Sequence, residues 1–329
     1  MWVGAKTASI RPRAIGLAAM FLGMLSSGES VASAVVPDPP VVCTSCEAWN
    51  EPLEPFRVYG NTYYVGVAGL SAILIASNKG LILLDGGLPQ SAPLVAANIA
   101  KLGFRVEDIR LIVNTHTHYD HAGGIAALQR ASGALVAASP SGARALEAGK
   151  PTDDDPLFEL PNNGFPPVQK VRSVSDNETL HVAELAITAR FTPGHTPGST
   201  TWTWRSCEAG RCLNIVYADS LSAVAAPGFR FTGDKSRPSR VDGFMQSIAR
   251  VESLPCDVLL TPHPEFFDRD AKLQRWREKP DVNPFIQPDS CKHYAVQARR
   301  NLQHRIREER VTKRSPPPSI NQSQSAPPS

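Results

Sequence analysis

Val113-Asn114-Thr115-His116-Thr117-His118-Tyr119-Asp120-His121-Ala122-Gly123-Gly124 is the stretch on which the reading of this chain turns. Before it, residues 108–114 carry Ile-Arg-Leu-Ile-Val, an apolar run of the kind that forms a buried strand. After it, Ala-Gly-Gly opens a predicted helix over 122–131. The histidine-rich segment is therefore a loop at the C-terminal end of a strand, where ligands gather in open α/β sheets. The chain has 8 histidines, and three of them fall within these six positions beside a carboxylate. Imidazole and carboxylate are good zinc ligands. His116 and His118, two apart, can project to one side. Asp120 and His121 lie further round the turn and can face a second centre. The plain alternative, surface histidines in a loop, fits poorly with this density and with the strand in front.

Two later histidines sit in the same setting. His195 lies in Thr192-Pro193-Gly194-His195-Thr196-Pro197-Gly198, after a predicted strand, in a turn that prolines and glycines hold tight. His263, in Thr261-Pro262-His263-Pro264, follows the apolar Val258–Leu260. Either alone would more often be structural. Three histidine loops, each at a strand end, converge on a metal site. His181, His293 and His304 have no such setting and read as ordinary.

The rest of the chain mixes strands and helices. Strands are predicted over 62–66, 71–76, 81–85, 135–138, 170–174, 185–192, 200–205, 213–217 and 258–261, with Asn78-Lys79-Gly80 as a hairpin turn. Helices are predicted over 91–102, near 141–148, and over 241–254, 270–276 and 292–310. The Pro-rich segment 35–55 reads as surface wrapping. Residues 150–168, rich in Pro, Asp and Asn, read as a long loop, a type often functional. This mixture implies a layered α/β architecture without fixing its topology.

The termini are distinct. Lys6, Arg11 and Arg13 precede an apolar run from Ala14 to Leu25, and Ala32-Ser33-Ala34 offers a small-x-small cleavage pattern. Residues 1–34 thus read as a signal peptide, the apolar run being short of the ~20 residues a membrane span needs. Cys43 follows Pro-Val-Val, which argues against a lipoprotein anchor. Residues 35–311 read as one domain, and 312–329, Pro-, Ser- and Gln-rich, as a disordered tail. The net charge is +3, and loss of Lys6, Arg11, Arg13 and Glu29 leaves about +1. The basic cluster of residues 299–314 is interleaved with Glu308 and Glu309 and reads as a solvated helix face. No concentrated basic stripe suggests a nucleic-acid surface.

The chain has 6 cysteines, which in an exported protein suggest disulfides. From spacing, Cys207 and Cys212 would close a hairpin, and Cys256 and Cys291 would tie the late strand region to the last helix. Cys43 and Cys46 remain as a Cys-x-x-Cys. A redox role is the sharper reading of that pair. With no strand before it and no obvious helix starting on it, a short-loop disulfide or two loose thiols fits better.

The His-x-His-x-Asp-His run, the Gly-His-Thr-Pro-Gly turn and the last Pro-His resemble the metallo-β-lactamase superfamily. Tyr217-Ala218-Asp219-Ser220-Leu221-Ser222, with Trp202–Cys207, Cys212 and Cys291, narrows the resemblance to its subclass B3, over roughly residues 46–305. The resemblance implies an αβ/βα four-layer sandwich with its site in a groove at one edge. It implies that His116, His118 and His195 hold a first zinc, and Asp120, His121 and His263 a second. Ser220 stands where subclass B1 members place a cysteine ligand, so His121 completes the second site. A zinc-bound hydroxide would then open the lactam amide of penicillins, cephalosporins and carbapenems, with Asp120, His116 and His118 catalytic and no side-chain nucleophile needed. Ser220 and Ser222 would bind the substrate carboxylate, or else simply form the turn. The 150–168 loop and the segment near 225–233 are candidate groove walls, with Phe158 and Phe229 as candidate substrate contacts. Asp219 is expected to be structural, although thioesterase and lactonase branches place a metal-bridging Asp nearby. Ala68 stands where close relatives with three disulfides have a cysteine, which leaves Cys43 and Cys46 to pair locally. The fold's usual state is a monomer, and the signal peptide with its short apolar run implies no stable membrane anchor and a location in the periplasm or outside the cell. Rival readings are a lactonase or glyoxalase II-like thioesterase of the same fold, and an exported zinc-binding protein without catalysis. Against the last stands a ligand set that leaves each zinc room for water, unlike the closed Cys-rich structural sites.

Overall fold

The computed structural model describes residues 1–6, 8–9 and 35–314. Residue 7 and residues 10–34 of the expected signal peptide fall outside the described residues, as does the chain beyond Arg314. The chain divides into two compact units, Met1–Ala32 and Ser33–Ser329, and the fold is that of the second.

A single helical turn, α1 (Cys46–Trp49), precedes the first sheet. Contrary to the sequence reading, a helix does start on the second cysteine of the Cys-x-x-Cys. The first sheet runs in the order β1 (Phe56–Tyr59), β2 (Thr62–Tyr64), β3 (Ile73–Ser77), β4 (Gly80–Leu84), β5 (Ile109–Val113), β6 (Leu135–Ala138) and β7 (Val171–Ser173). Neighbours from β1 to β4 are antiparallel, and those from β4 to β7 are parallel. Parallel neighbours need crossovers. Helix α2 (Ala92–Lys101) makes the first. The short α3 (Tyr119–Ala122) and α4 (Ile125–Ser132) make the second, and α5 (Pro140–Ala148) the third. Helix α5 starts with Pro140 in its first turn and with the Ser139 Oγ accepting from the Gly142 N–H, and it ends at a left-handed Gly149.

The second sheet has the order β12-β11-β10-β9-β8, made from β8 (Thr179–Val182), β9 (Leu185–Phe191), β10 (Thr200–Glu208), β11 (Arg211–Tyr217) and β12 (Val258–Leu260). It is antiparallel except where β12 joins β11. Helices α6 (Val241–Ser253), α7 (Arg269–Glu278) and α8 (Ser290–Arg314) complete the chain. Helix α8 thus extends to Arg314, beyond the domain boundary expected at 311.

The strand sequences explain the layers. In β4 the side chains alternate between two cores: Ile82 and Leu84 meet Ile187, Trp202 and Ile215 of the second sheet, whereas Leu81 and Leu83 meet Val95, Ile99, Ile125 and Leu128 of α2 and α4. A strand buried on both faces reads as a continuous apolar run, as Gly80–Leu84 does. Phe244, Ile248 and Leu302 bring α6 and α8 into the core that contains the second sheet. The result is the αβ/βα sandwich that the resemblance implies.

Trp202 is fully buried between the sheets, and its Nε1 donates to the Asn114 carbonyl at 3.0 Å. It therefore joins β10 to the start of the histidine loop. Trp202→Ala is expected to cost about 3–5 kcal/mol of unfolding free energy, the usual range for emptying such a site. Denaturant titration of the variant checks this, and a loss below about 1 kcal/mol would remove Trp202 from the role of linchpin.

Three disulfides are present, Cys43–Cys46, Cys207–Cys212 and Cys256–Cys291. Cys207 and Cys212 are cross-strand partners at the end of the β10–β11 hairpin.

Candidate metal centre

The histidine loop leaves β5 and enters α3, so Asp120 and His121 are helical while His116 and His118 precede the helix. His195 sits in the β9–β10 turn, where Ser199 Oγ accepts from the Thr196 N–H at 3.0 Å. Gly194 is required there: a Cβ on it would lie 2.2 Å from the Phe244 ring of α6. His263 follows β12, and its carbonyl accepts from Thr261 Oγ1 at 2.6 Å. The Thr200 N–H donates to the Thr115 carbonyl at 2.8 Å, which pins the His195 turn to the His116 loop across the two sheets.

Six predicted ligands come together in two groups. His116, His118 and His195 form one, with a donor atom of each within 4.8 Å of the others, and all are buried. Asp120 Oδ2 lies 3.3 Å from both His121 Nε2 and His263 Nε2, which are themselves 3.2 Å apart. Three donors at these separations match the edges of a tetrahedron around an ion with bonds of about 2.0–2.1 Å, the zinc–nitrogen and zinc–oxygen range. His116, Asp120 and His121 also satisfy the 4.8 Å criterion, so the two groups adjoin.

The outer partners decide which nitrogen of each ring faces inward. Asp219 Oδ1 accepts from His116 Nδ1 at 2.6 Å, and Asp155 Oδ1 accepts from His118 Nε2 at 3.1 Å. The Ser222 carbonyl accepts from His195 Nδ1 at 2.9 Å, with Ser222 Oγ 3.1 Å from the same nitrogen. That leaves His116 Nε2, His118 Nδ1 and His195 Nε2 with their lone pairs for an ion. His116 Nε2 is buried and has no protein partner. Carboxylate–histidine pairs of this kind fix the tautomer and raise the basicity of a ligand.

Electrostatics favour the neutral ring at two of the three histidines of the first group. Burial, then the neighbouring His121 and His118, hold the His116 pKa well below the usual range. Burial and His116 push His195 down to about 3. Both rings are therefore neutral and ready to bind. For Asp120, burial is outweighed by His121 and His263, which keep the carboxylate ionised.

Behind the loop sits a buried support that sequence reasoning did not find. Asp85 accepts from Asn114 Nδ2, the Thr115 N–H, Thr115 Oγ1 and Tyr217 OH at 2.7–2.9 Å. It is fully buried at φ 60°, and burial pushes its carboxyl up to about 7. A non-glycine residue held there stores local strain.

Asp155 and Trp49 were also missed. Asp155 stands among Asp153-Asp154-Asp155, where nothing in the sequence separates it from its neighbours. Trp49 packs its ring 5.3 Å from that of His263. Its only sequence signal is an aromatic next to the cysteine pair.

Other expectations resolve as follows. Asp219 Oδ1 accepts from the outer nitrogen of His116, and its Oδ2 is buried without a protein partner. Ser220 is buried with its Oγ unpartnered, and Ser222 is half-buried beside His195. Phe229 is not available for substrate contact: it is buried against Phe231 with Arg237 and Arg240 over its ring. Phe158 is half-buried in the 150–168 loop.

A family model described as "Metallo-beta-lactamase superfamily" matches residues 65–208. The solved structure of Rm3 metallo-beta-lactamase is 46% identical with a TM-score of 0.79, over 82% of this chain and 100% of that one. Among curated proteins, a hydroxyacylglutathione hydrolase of Anaeromyxobacter dehalogenans (strain 2CP-C) is 30% identical over 196 residues. The match takes in 60% of this chain and 60% of that relative, so the chain spans about three fifths of its length. The chain belongs to the metallo-β-lactamase superfamily, and its histidine-rich centre is the metal-binding site of that fold. Within the family it is similar to MEM-A1, a subclass B3 enzyme isolated from a soil metagenome library, at 46% identity and a TM-score of 0.77, over 80% of this chain and 99% of that one.

Proposed function

We propose that the chain is an exported two-zinc hydrolase that opens the lactam amide of β-lactam antibiotics, penicillins, cephalosporins and carbapenems among them, and so confers resistance. The observation that carries this reading is the likeness, along the whole length of the neighbours, to metallo-β-lactamases including a subclass B3 enzyme. The two adjoining groups of three donors support it, because each leaves an ion open positions for water and substrate. Zinc, when bound, supplies Lewis acidity and a nucleophile available at neutral pH.

The chain's own residues have distinct parts in this proposal. His116, His118 and His195 hold the first ion, and Asp219, Asp155 and Ser222 fix their rings. Asp120, His121 and His263 hold the second. Asp120, at the junction of the two groups, orients the attacking water. Ser222, at the edge of the centre, meets the substrate carboxylate, with Ser220 behind it. Export is supported by the three disulfides, which persist in oxidising compartments. Among the described residues no helix is long and apolar enough to cross a membrane.

The test is hydrolysis of a carbapenem and a penicillin by the chain from Val35 onward, first with zinc and then with a chelator. Opening of both, abolished by the chelator and restored by zinc, is expected. No opening with two zincs confirmed bound would overturn the β-lactamase reading. The 30% identity to a hydroxyacylglutathione hydrolase then favours thioesters, with lactones next. The engagement of Asp219 Oδ1 with the outer nitrogen of His116 weighs against that alternative.

A further inference from the structure

Helix α8 turns Ser290, Tyr294, Gln297 and Asn301, spaced as one helical face, toward α7 and the 3-10 turn Pro264–Phe267. Between them lies a cavity of about 330 Å³. Leu221, Leu259, Phe266, Phe267 and Ala298 make much of its wall apolar, and Lys272 of α7 lines it too. None of the six proposed metal ligands borders it, although Ser222, which holds the His195 ring, does.

Lys272 is the anomaly. The residue is 2% exposed, yet its ammonium makes no hydrogen bond or ion pair among the described residues. It rests only against the faces of Phe267 and Phe285, 5.6 Å from each ring centre. Surface lysines bury the stem and keep the head in water; here the stem is buried and the ammonium keeps only a small exposure, at the cavity that Lys272 lines. Stripping a charge of most of its water is costly, and two ring faces offset only part of that cost. Burial accordingly pushes the Lys272 pKa down to about 8, with Asp268 opposing the shift and Arg275 adding to it. Glu265 and Asp268 share the cavity wall, but neither comes within ion-pair distance of Lys272.

We propose that this cavity binds a small monocarboxylate with an apolar body, whose carboxylate pairs with Lys272. The apolar part of the wall takes the hydrocarbon body, and the Lys272 ammonium at the cavity supplies the cation. Glu265 and Asp268 repel a second negative charge, which selects a monoanion over phosphate or a dicarboxylate. The volume is at the small end of ligand sites and suits a single ring. The cavity also reaches the turn that orients the metal centre. Ser222 lines it and holds His195 Nδ1. Tyr294 lines it and accepts from the Leu221 N–H while donating to the Asp219 carbonyl.

The probe is benzoate, titrated by calorimetry into the chain from Val35 with zinc and without. The expected result is one benzoate per chain in both states, with affinity reduced about tenfold or more in Lys272→Met, the loss of one charged hydrogen-bond partner. In the unsubstituted protein the amide resonances of Leu221 and Phe266 are expected to move on titration, which keeps the proposal testable should the variant fail to fold. Absence of binding, binding that requires zinc, undiminished binding in Lys272→Met, or resonance shifts confined to the His116–His121 loop would each overturn it. Because the metal-free protein is one arm, the outcome is independent of whether the chain opens lactams.

Discussion

Asp120→Ala is expected to lower lactam hydrolysis by about 10³-fold or more, equivalent to about 4 kcal/mol of transition-state stabilisation, and to reduce bound zinc from two ions per chain to one. Asp120 Oδ2 completes a triangle with His121 Nε2 and His263 Nε2, every edge of it 3.2–3.3 Å. Without the carboxylate, two imidazoles are left facing each other with no charge to balance an ion. The first group keeps His116, His118 and His195 and their outer partners, so one ion is retained. Elemental analysis and a lactam assay on the same preparation check both halves. A variant that kept two ions and a rate near that of the parent would remove Asp120 from the centre of the proposal.

Asp155→Asn is expected to weaken zinc affinity by about 10–100-fold, the usual effect of losing a carboxylate behind a histidine ligand. Asp155 is buried, and its Oδ1 accepts both from His118 Nε2 and from the Leu157 N–H. Burial alone would push the Asp155 carboxyl up, but the His118 contact outweighs it and holds the group ionised. An amide at that position can still accept a hydrogen bond, but it brings no charge to the His118 ring. Competition with a chromophoric chelator measures the change. Equal affinities in variant and parent would show that His118 is held by the loop backbone alone.

Much of the architecture is legible in the residues because strand burial leaves a mark on composition. Leu81–Leu84 and Leu111–Val113 are apolar on both faces, and in the structure both faces are covered. β1 and β8 escaped notice for a different reason. Phe56–Tyr59 and Thr179–Val182 have four residues each, too short for a period-2 pattern to stand out beside Pro55 and Asn177. The single turn of helix Cys46–Trp49 is as short and has no periodicity to read.

The metal ligands were legible because each follows a strand in a distinctive local sequence. Their supports were not. Asp85, Asp155 and Trp49 reach the site from 30 residues before Thr115, 37 after His118 and 214 before His263, and only the packed sandwich brings them in. Asp219 was visible as a residue, but its orientation toward His116 is a tertiary fact. Lys272 lies in a helix, Arg269–Glu278, in which six of ten residues are charged, so nothing marks one lysine there as buried.

The donors of the centre come from both sheets, with the His116–His121 segment leaving the first and His195 and His263 leaving the second. Ions bound there fasten the two halves of the sandwich to each other as well as serving chemistry. Folding and metal supply are then thermodynamically linked, and free zinc at a hundred times its dissociation constant adds about 2.7 kcal/mol to the folded state for each independent site. Zinc scarcity would therefore act twice, emptying the centre and also releasing a less stable protein to proteolysis, so that the amount of enzyme falls together with its activity.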